Sequence, residues 1–419
     1  MSKRSDSGEL DDLPTGYELV RFDPRVLLAL PAELARTSRA ELDRRGAAAD
    51  EARREELRRR QEAVKAEALA EGNATAERNK ADAEARKRAF AAPPAPGWYR
   101  VIPDLGVLQD ERNAMGSALR SADQDVNKRN AKLRETLIEK GPDRSIARHE
   151  SWREMLADLE AALPHFQAPI HLMRNTLALA EATLRPVRVP PMLLLGPPGV
   201  GKTYFSHRVA QLMGAAHASI AFDQPTAGSQ LRGSDKYWGN SASGLLFNLI
   251  CMGESANPVV LLDELDKSCV SGSRGELDPL AQLHGALEPE TSRRTLDIST
   301  DIEFDASLTT YIATANTARG IGLPILSRME VFAIEAPGPS ESVEIARAVM
   351  NEVFNRLGLR ERMGFERKAL YVLAHMSPRL MVRTVEKAAA AAVVEGRSEV
   401  REVDLWAVAR VGDAGPRLH

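Results

Sequence analysis

The hydrophobic pattern divides the chain into stretches of different character. Residues 1–30 mix polar and apolar positions around Pro14, Gly16 and Pro24, and read as a short adaptor segment or a disordered one. Residues 31–90 are rich in Ala, Glu and Arg, nearly free of Gly and Pro, and poor in large apolar side chains. Glu41/Arg45, Glu55/Arg59, Glu56/Arg60, Asp82/Arg86 and Glu84/Arg88 stand at i,i+4 spacing with the acid first, the favourable order on a helix. Leu57 and Val64 are one heptad apart, but no a/d seam continues from them, so the spacing predicts a long exposed helix, a solvated spacer in preference to a coiled coil. The prolines of 91–97, AAPPAPG, end that helix in a linker or sharp turn. A second helical stretch is predicted over 110–140, broken at Gly141-Pro142 and resuming near His149.

After Leu163 short apolar runs take over. Met192-Leu193-Leu194-Leu195 leads into a Gly/Pro loop, 259–262 ends on two acids, and 311–315 ends on Asn316. Short buried strands separated by helical segments predict a parallel α/β sheet with its active residues at the strand ends. From about Pro337 the strand signals fade, and 341–357, 368–375 and 378–394 predict a small α-helical domain. The expected organisation is an N-terminal segment with a long charged helix and a Pro-rich linker (1–104), a helical connecting region (105–163), an α/β domain (164–336) and an α-helical lid (337–419).

Composition adds exclusions. Of 419 residues 43% are hydrophobic, enough for at least one core, and 27% are charged with a net charge of −3. That balance argues against a nucleic-acid-coating protein, although 53–60 is locally basic. Two cysteines, Cys251 and Cys269, without metal-ligand spacing, read as reduced thiols. The first residues carry no apolar signal core, and the apolar runs are far shorter than a membrane span. The expectation is a soluble, cytoplasmic protein.

Candidate chemistry is concentrated in Gly196-Pro197-Pro198-Gly199-Val200-Gly201-Lys202-Thr203, a full match to G-x-x-x-x-G-K-[ST] between a buried strand and a helix beginning about Tyr204. Such a loop turns its backbone N–H groups onto phosphate oxygens. Its glycines permit the torsions and leave no Cβ in the way. The following helix adds its positive end, Lys202 a point charge, and Thr203 a hydroxyl for Mg²⁺. Asp263 and Glu264 end the next buried strand. Beside a phosphate loop, the first suits metal holding and the second polarisation of the attacking water. Two helix-capping acids are the bland alternative. The cofactors expected are ATP and Mg²⁺.

With these motifs the chain resembles the AAA+ ATPases, and among them the ATPase module of Lon protease, over roughly residues 160–410. The resemblance is carried by LLLGPPGVGKT (193–203), NPVVLLDELDKS (257–268), DPLAQLHGALEPE (278–290), ATANT (313–317) and LSRMEVF (326–332). It implies further roles. Asn316 matches the polar sensor that orients water, where an Asn turn is the alternative. Arg328 matches the arginine finger offered to a neighbouring subunit, with Arg319 as fallback. Arg379 matches the lid's sensor arginine, although Ser-Pro-Arg replaces the family's Gly-x-Arg, which keeps Arg383 in play. His165 and Phe166 match a motif bordering adenine, with core packing the other reading of Phe166. Tyr237 and Trp238 match an aromatic pore loop that grips a protein substrate, and a satellite packing cluster is the alternative.

The resemblance further implies a homo-oligomer, a hexameric ring. No Ser-Lys peptidase follows the lid before His419, so the expectation is a remodelling or translocating motor without that activity. Two alternatives are a nucleotide-dependent switch or scaffold that binds a partner through the N-terminal helices, and a DNA-processing ATPase, against which the charge balance counts.

Overall fold

The computed structural model describes residues 14–23, 26–109, 124–224, 226–234, 241–270 and 280–413. The chain separates into two units, 1–85 and 86–419.

In the first unit, strands β1 (Tyr17–Asp23) and β2 (Val26–Pro31) form an antiparallel hairpin where the sequence suggested an adaptor or disorder. β-branched Val20 stands opposite Leu28, and Leu19 opposite Ala29, apolar cross-strand pairs that suit a pleated ribbon. The helix that follows, Ala32–Ala91, is 60 residues long, which corresponds to roughly 90 Å at 1.5 Å per residue. It is solvent-exposed along nearly its whole length, including Leu57 and Val64. Its side chains pair locally, Arg45 with Glu41 and Arg59 with Glu55. Arg39 binds Glu18 and the Leu19 carbonyl, tying the hairpin to the first turns of the helix.

The second unit is built on a five-stranded parallel sheet, flanked by helices, as the sequence predicts. Its strands are β5 (Met192–Leu195), β6 (His217–Ala221), β7 (Val259–Asp263), β10 (Thr310–Ala315) and β11 (Glu330–Ala333), in the order β11-β5-β10-β7-β6. The three central strands are the three apolar runs of the sequence. The two edge strands are half-exposed, and each has only one neighbour to satisfy. Side chains alternate between two cores, as the pleat requires. Leu193, Val260, Leu262 and Ala313 enter one, and Met192, Leu194, Val259 and Ile312 the other.

Residues preceding the sheet are part of the first core. Phe90, Val101, Ile102, Leu105 and Leu137 are buried in it. Strands β3 (Trp98–Arg100) and β4 (Asp143–Ser145) pair antiparallel, and β4 stands just beyond the Gly141-Pro142 break. The helix Gln124–Lys140 is fastened by Asn130, whose amide donates to the Ser299 carbonyl at 2.8 Å. Buried Arg144 donates to the carbonyl of Cys251. Cys251 is a free buried thiol, and burial pushes its pKa up. A small hairpin, β8 (Thr295–Asp297) with β9 (Ile302–Phe304), precedes β10.

Beyond the sheet, helices Pro339–Arg356, Arg367–Ala374, Pro378–Val394 and Glu402–Asp413 enclose a third core around Met350, Leu370, Val385 and Leu405, with a short parallel pair, β12 (Gly364–Phe365) and β13 (Glu399–Val400), at its side. Two of these helices begin with Pro at the first turn, where the missing N–H costs nothing. Gly338 N–H donates to Glu341 Oε2 at 2.7 Å, closing the start of the first one.

Candidate active site

The loop from Gly196 to Gly201 leaves β5 and opens directly into the helix Lys202–Met213. Two of its glycines are required by their surroundings. A Cβ on Gly196 would lie 2.2 Å from the Ile334 carbonyl oxygen, so β11 can pass only beside a glycine. Gly201, at φ +105°, caps the helix in a left-handed conformation that side chains rarely adopt, and a Cβ there would press on Leu163 at 3.0 Å. The helix therefore starts with its free N–H groups at the loop, the arrangement that favours a bound anion.

Lys202 is 8% exposed. Its ammonium donates to the Gly196 carbonyl at 2.5 Å, the Pro197 carbonyl at 3.0 Å and Asn316 Oδ1 at 3.1 Å. Burial lowers its pKa, and Asp266, Asp263 and Glu264 oppose that shift. The lysine thus couples the loop 196–201 to the end of β10, while three carboxylates at and just beyond the end of β7 supply the compensating charge.

Two residues that the motif reading passed over, Thr314 and Asp266, join the end of β7 to the end of β10. Thr314 donates its hydroxyl to Asp263 Oδ1 and accepts the Glu264 N–H at 3.1 Å. Glu264 stands at φ +57°, a conformation a non-glycine residue adopts only when its neighbours hold it there. Its carboxylate pairs with Lys267 at 2.6 Å. Asp266 Oδ2 accepts the N–H groups of Asn316 and Thr317 at 3.1 and 3.2 Å. Its Oδ1 is buried and without a hydrogen-bond partner among the described residues. Both residues had a signal in the sequence. Thr314 lies in the third apolar run, two positions before Asn316. Asp266 lies three positions after Asp263.

These groups line a cleft of about 770 Å³ between sheet and lid, within the roughly 300–1,000 Å³ usual for ligand sites. Pro198, Gly199, Gly201, Lys202, Thr203, Tyr204, Asp263, Glu264 and Asn316 face it from the α/β side. Ile345, Val349, Val382, Arg356 and Arg379 face it from the C-terminal helices, and Leu163 also lines it. Tyr204 bridges the two sides: its hydroxyl donates to Glu352 Oε2 at 2.9 Å, and burial raises its pKa. Arg379 and Arg383 are both exposed; Arg379, in the first turn of Pro378–Val394, lines the cleft, and Arg383 does not. Arg356, which the sequence reading passed over, lines it and pairs with Glu386.

His165 and Phe166 are not among the cleft-lining residues; they support the loop from beneath. His165 Nε2 meets the Val200 carbonyl at 2.8 Å, and burial lowers its pKa. Phe166 is fully buried and stacks on Phe205 with ring centroids 5.2 Å apart. Arg328 is likewise apart from the cleft. It lines a separate cavity of about 530 Å³ with Arg188 and Glu288. Arg319 is exposed just past the end of β10. Tyr237 and Trp238 lie outside the described residues.

The donor set fits Mg²⁺ in kind. The Thr203 hydroxyl and Asp263 carboxylate are hard oxygens, and Mg²⁺ is commonly held by one or two carboxylates together with substrate phosphates. Among the described residues no cluster of His, Cys, Asp or Glu could hold a metal by itself. No described helix is long and apolar enough to cross a membrane.

Residues 192–335 match the model of the ATPase family associated with various cellular activities (AAA). Lon protease of Halothermothrix orenii is 34% identical over 238 residues, covering 54% of this chain and 30% of that protein. Lon protease 2 of Sorangium cellulosum is 34% identical over 226 residues, covering 51% and 27%. The chain thus spans less than a third of the length of these relatives. Among solved structures, the Thermotoga maritima RuvB Holliday junction branch migration motor matches at 16% identity with a TM-score of 0.38, covering 59% of this chain and 69% of that one.

Proposed function

We propose that this chain, whose α/β region is an AAA-type ATPase module related to that of the Lon proteases, hydrolyses ATP in the cleft around Lys202 and uses the cycle to remodel or translocate a protein partner as a homo-oligomer. The observation that carries the reading is the convergence of Lys202, Asp263, Glu264 and Asn316 on one cleft with a helical lid on its far side.

In this reading the loop amides and the Lys202 ammonium hold the β- and γ-phosphates. Thr203 and Asp263 would hold Mg²⁺, which when bound neutralises charge on the phosphate oxygens. The Asn316 amide and the Glu264 carboxylate orient a water in line with the γ-phosphorus. Glu264 accepts its proton as the new P–O bond forms and the bond to the β-phosphate oxygen breaks, giving ADP and phosphate. For this the carboxylate must exchange its contact with Lys267 for the water. Arg379 and Arg356 close on the nucleotide from the lid. The lining of a separate cavity by Arg328 supports action on a neighbour's nucleotide, in a ring whose hexameric size follows the Lon resemblance.

The test is Glu264→Gln. The variant should retain ATP and turn it over at least about a hundredfold more slowly, the scale of a lost general base. An unchanged rate removes Glu264 from the chemistry. The long exposed helix favours a second reading, a nucleotide-dependent scaffold in which that helix binds the partner. Replacing Tyr237 and Trp238 by Ala separates the two: the motor loses partner remodelling while keeping ATP turnover, and the scaffold loses neither.

A further inference from the structure

Arg328 is held by its own chain in a defined pose. From Glu264 the chain continues through the turn Leu265–Val270 and, beyond residue 280, the helix Ala281–Leu287, to Glu288. There the backbone becomes extended, and Pro289 starts a new turn. Glu288 Oε2 accepts from Arg328 Nε at 2.8 Å. The Pro324 carbonyl, one turn back from Arg328, accepts from Nη1 at 2.6 Å. Two of the three guanidinium nitrogens are therefore engaged, and the orientation of the planar group is set. Arginine is a long and otherwise mobile side chain, so this restraint removes conformers that a partner would have to exclude.

The pair is partly exposed, 32% for Arg328 and 44% for Glu288. Ion pairs of that exposure contribute little to stability, so the physical consequence of this one lies in orientation. We propose that Glu288 is a positioning residue for Arg328: it presets the guanidinium to meet phosphate oxygens of a nucleotide bound by an adjacent copy of the chain. The proposal rests on the reading that Arg328 acts in trans.

The experiment measures kcat and KM for ATP in the full-length oligomer, with thermal melting as the folding control. Glu288→Ala should lower kcat roughly ten- to a hundredfold, the scale of a misplaced catalytic group, and leave KM within about twofold because nucleotide affinity resides in the other cleft. Glu288→Gln, whose amide oxygen can still accept from Nε, should recover most of the rate. The Glu288→Ala/Arg328→Ala double variant should be no slower than Arg328→Ala alone. A Gln variant as slow as Ala, or effects that multiply in the double variant, overturns positioning through this bond. A slow Arg328→Ala beside a normal Glu288→Ala overturns the positioning role alone. An Arg328→Ala with unchanged kcat overturns the trans reading, and the role of Glu288 with it.

Discussion

The helix Ala32–Ala91 and the cleft around Lys202 use charged residues in opposite ways. On the helix, ion pairs are local and wet. Arg59 and Glu55 are 78% and 63% exposed and one turn apart, an arrangement that contributes at most about 0.5 kcal/mol. In the cleft a buried ammonium feels the charge of three carboxylates at and just beyond the end of β7, with an amide and two carbonyls fixing its position. The helix uses a cheap local interaction, as in Arg45–Glu41 and Arg59–Glu55, and no single pair matters. The cleft concentrates a few interactions made across long loops, so the loss of any one leaves a buried polar group without its partner.

That contrast yields graded expectations. Lys202→Met keeps the aliphatic stem and removes the charge. Hydrogen bonds to a charged group are worth about 1.5–3 kcal/mol, so ATP affinity measured by calorimetry should fall roughly ten- to a hundredfold; retained affinity would place the phosphates elsewhere. Thr314→Val removes the hydroxyl that joins Asp263 to the Glu264 N–H. Urea unfolding should show a loss of about 1–3 kcal/mol, accompanied by slower ATP turnover at unchanged KM. A variant as stable and as fast as the parent would mean that the acids are held without it.

A pH scan probes the edge of the same sheet. Burial, and then the neighbouring His207, lower His217 to about 4. The folded chain keeps this imidazole neutral where the unfolded chain, with a pKa near about 6.5, has already taken a proton. The stability linked to neutral His217 is therefore complete above about pH 6.5 and is lost as pH falls toward about 4. Denaturation midpoints should drop across that window, and drop less in His217→Gln. Equal drops would remove His217 as a cause. The smallest effect belongs to the helix: Glu55→Gln should change stability by no more than about 0.5 kcal/mol and leave turnover unaltered. A measurable slowing of ATP hydrolysis by this change would break the separation between the two regions.

The central strands were legible because parallel strands covered on both faces must be apolar throughout, as 192–195, 259–262 and 311–315 are. Edge strands β6 and β11 carry no such run, since each faces a neighbour on one side only and exposes part of its surface. The hairpin of residues 17–31 escaped for a related reason: five of its large apolar side chains are exposed, and the pattern that marks a buried face is blurred. Strand β4 was hidden because it is three residues long and its partner is distant in the chain, with Trp98 opposite Ser145.

At the cleft, local chemistry and long-range packing divide in the same way. The amino-acid sequence by itself determined the phosphate loop, the acidic strand end and the Asn after the third strand as candidates, because a turn of backbone N–H groups around an anion is a local demand met by consecutive residues. Only the tertiary structure decided what surrounds them. Thr314 reaches Asp263 across 51 residues, Lys202 reaches Asn316 across 114, and Tyr204 reaches Glu352 across 148. It also decided that Phe166 packs beneath the loop, that Arg379 and not Arg383 faces the cleft, and that Glu288 holds Arg328. Such contacts depend on how sheet and lid close over their shared cores, and no spacing along the chain encodes that closure.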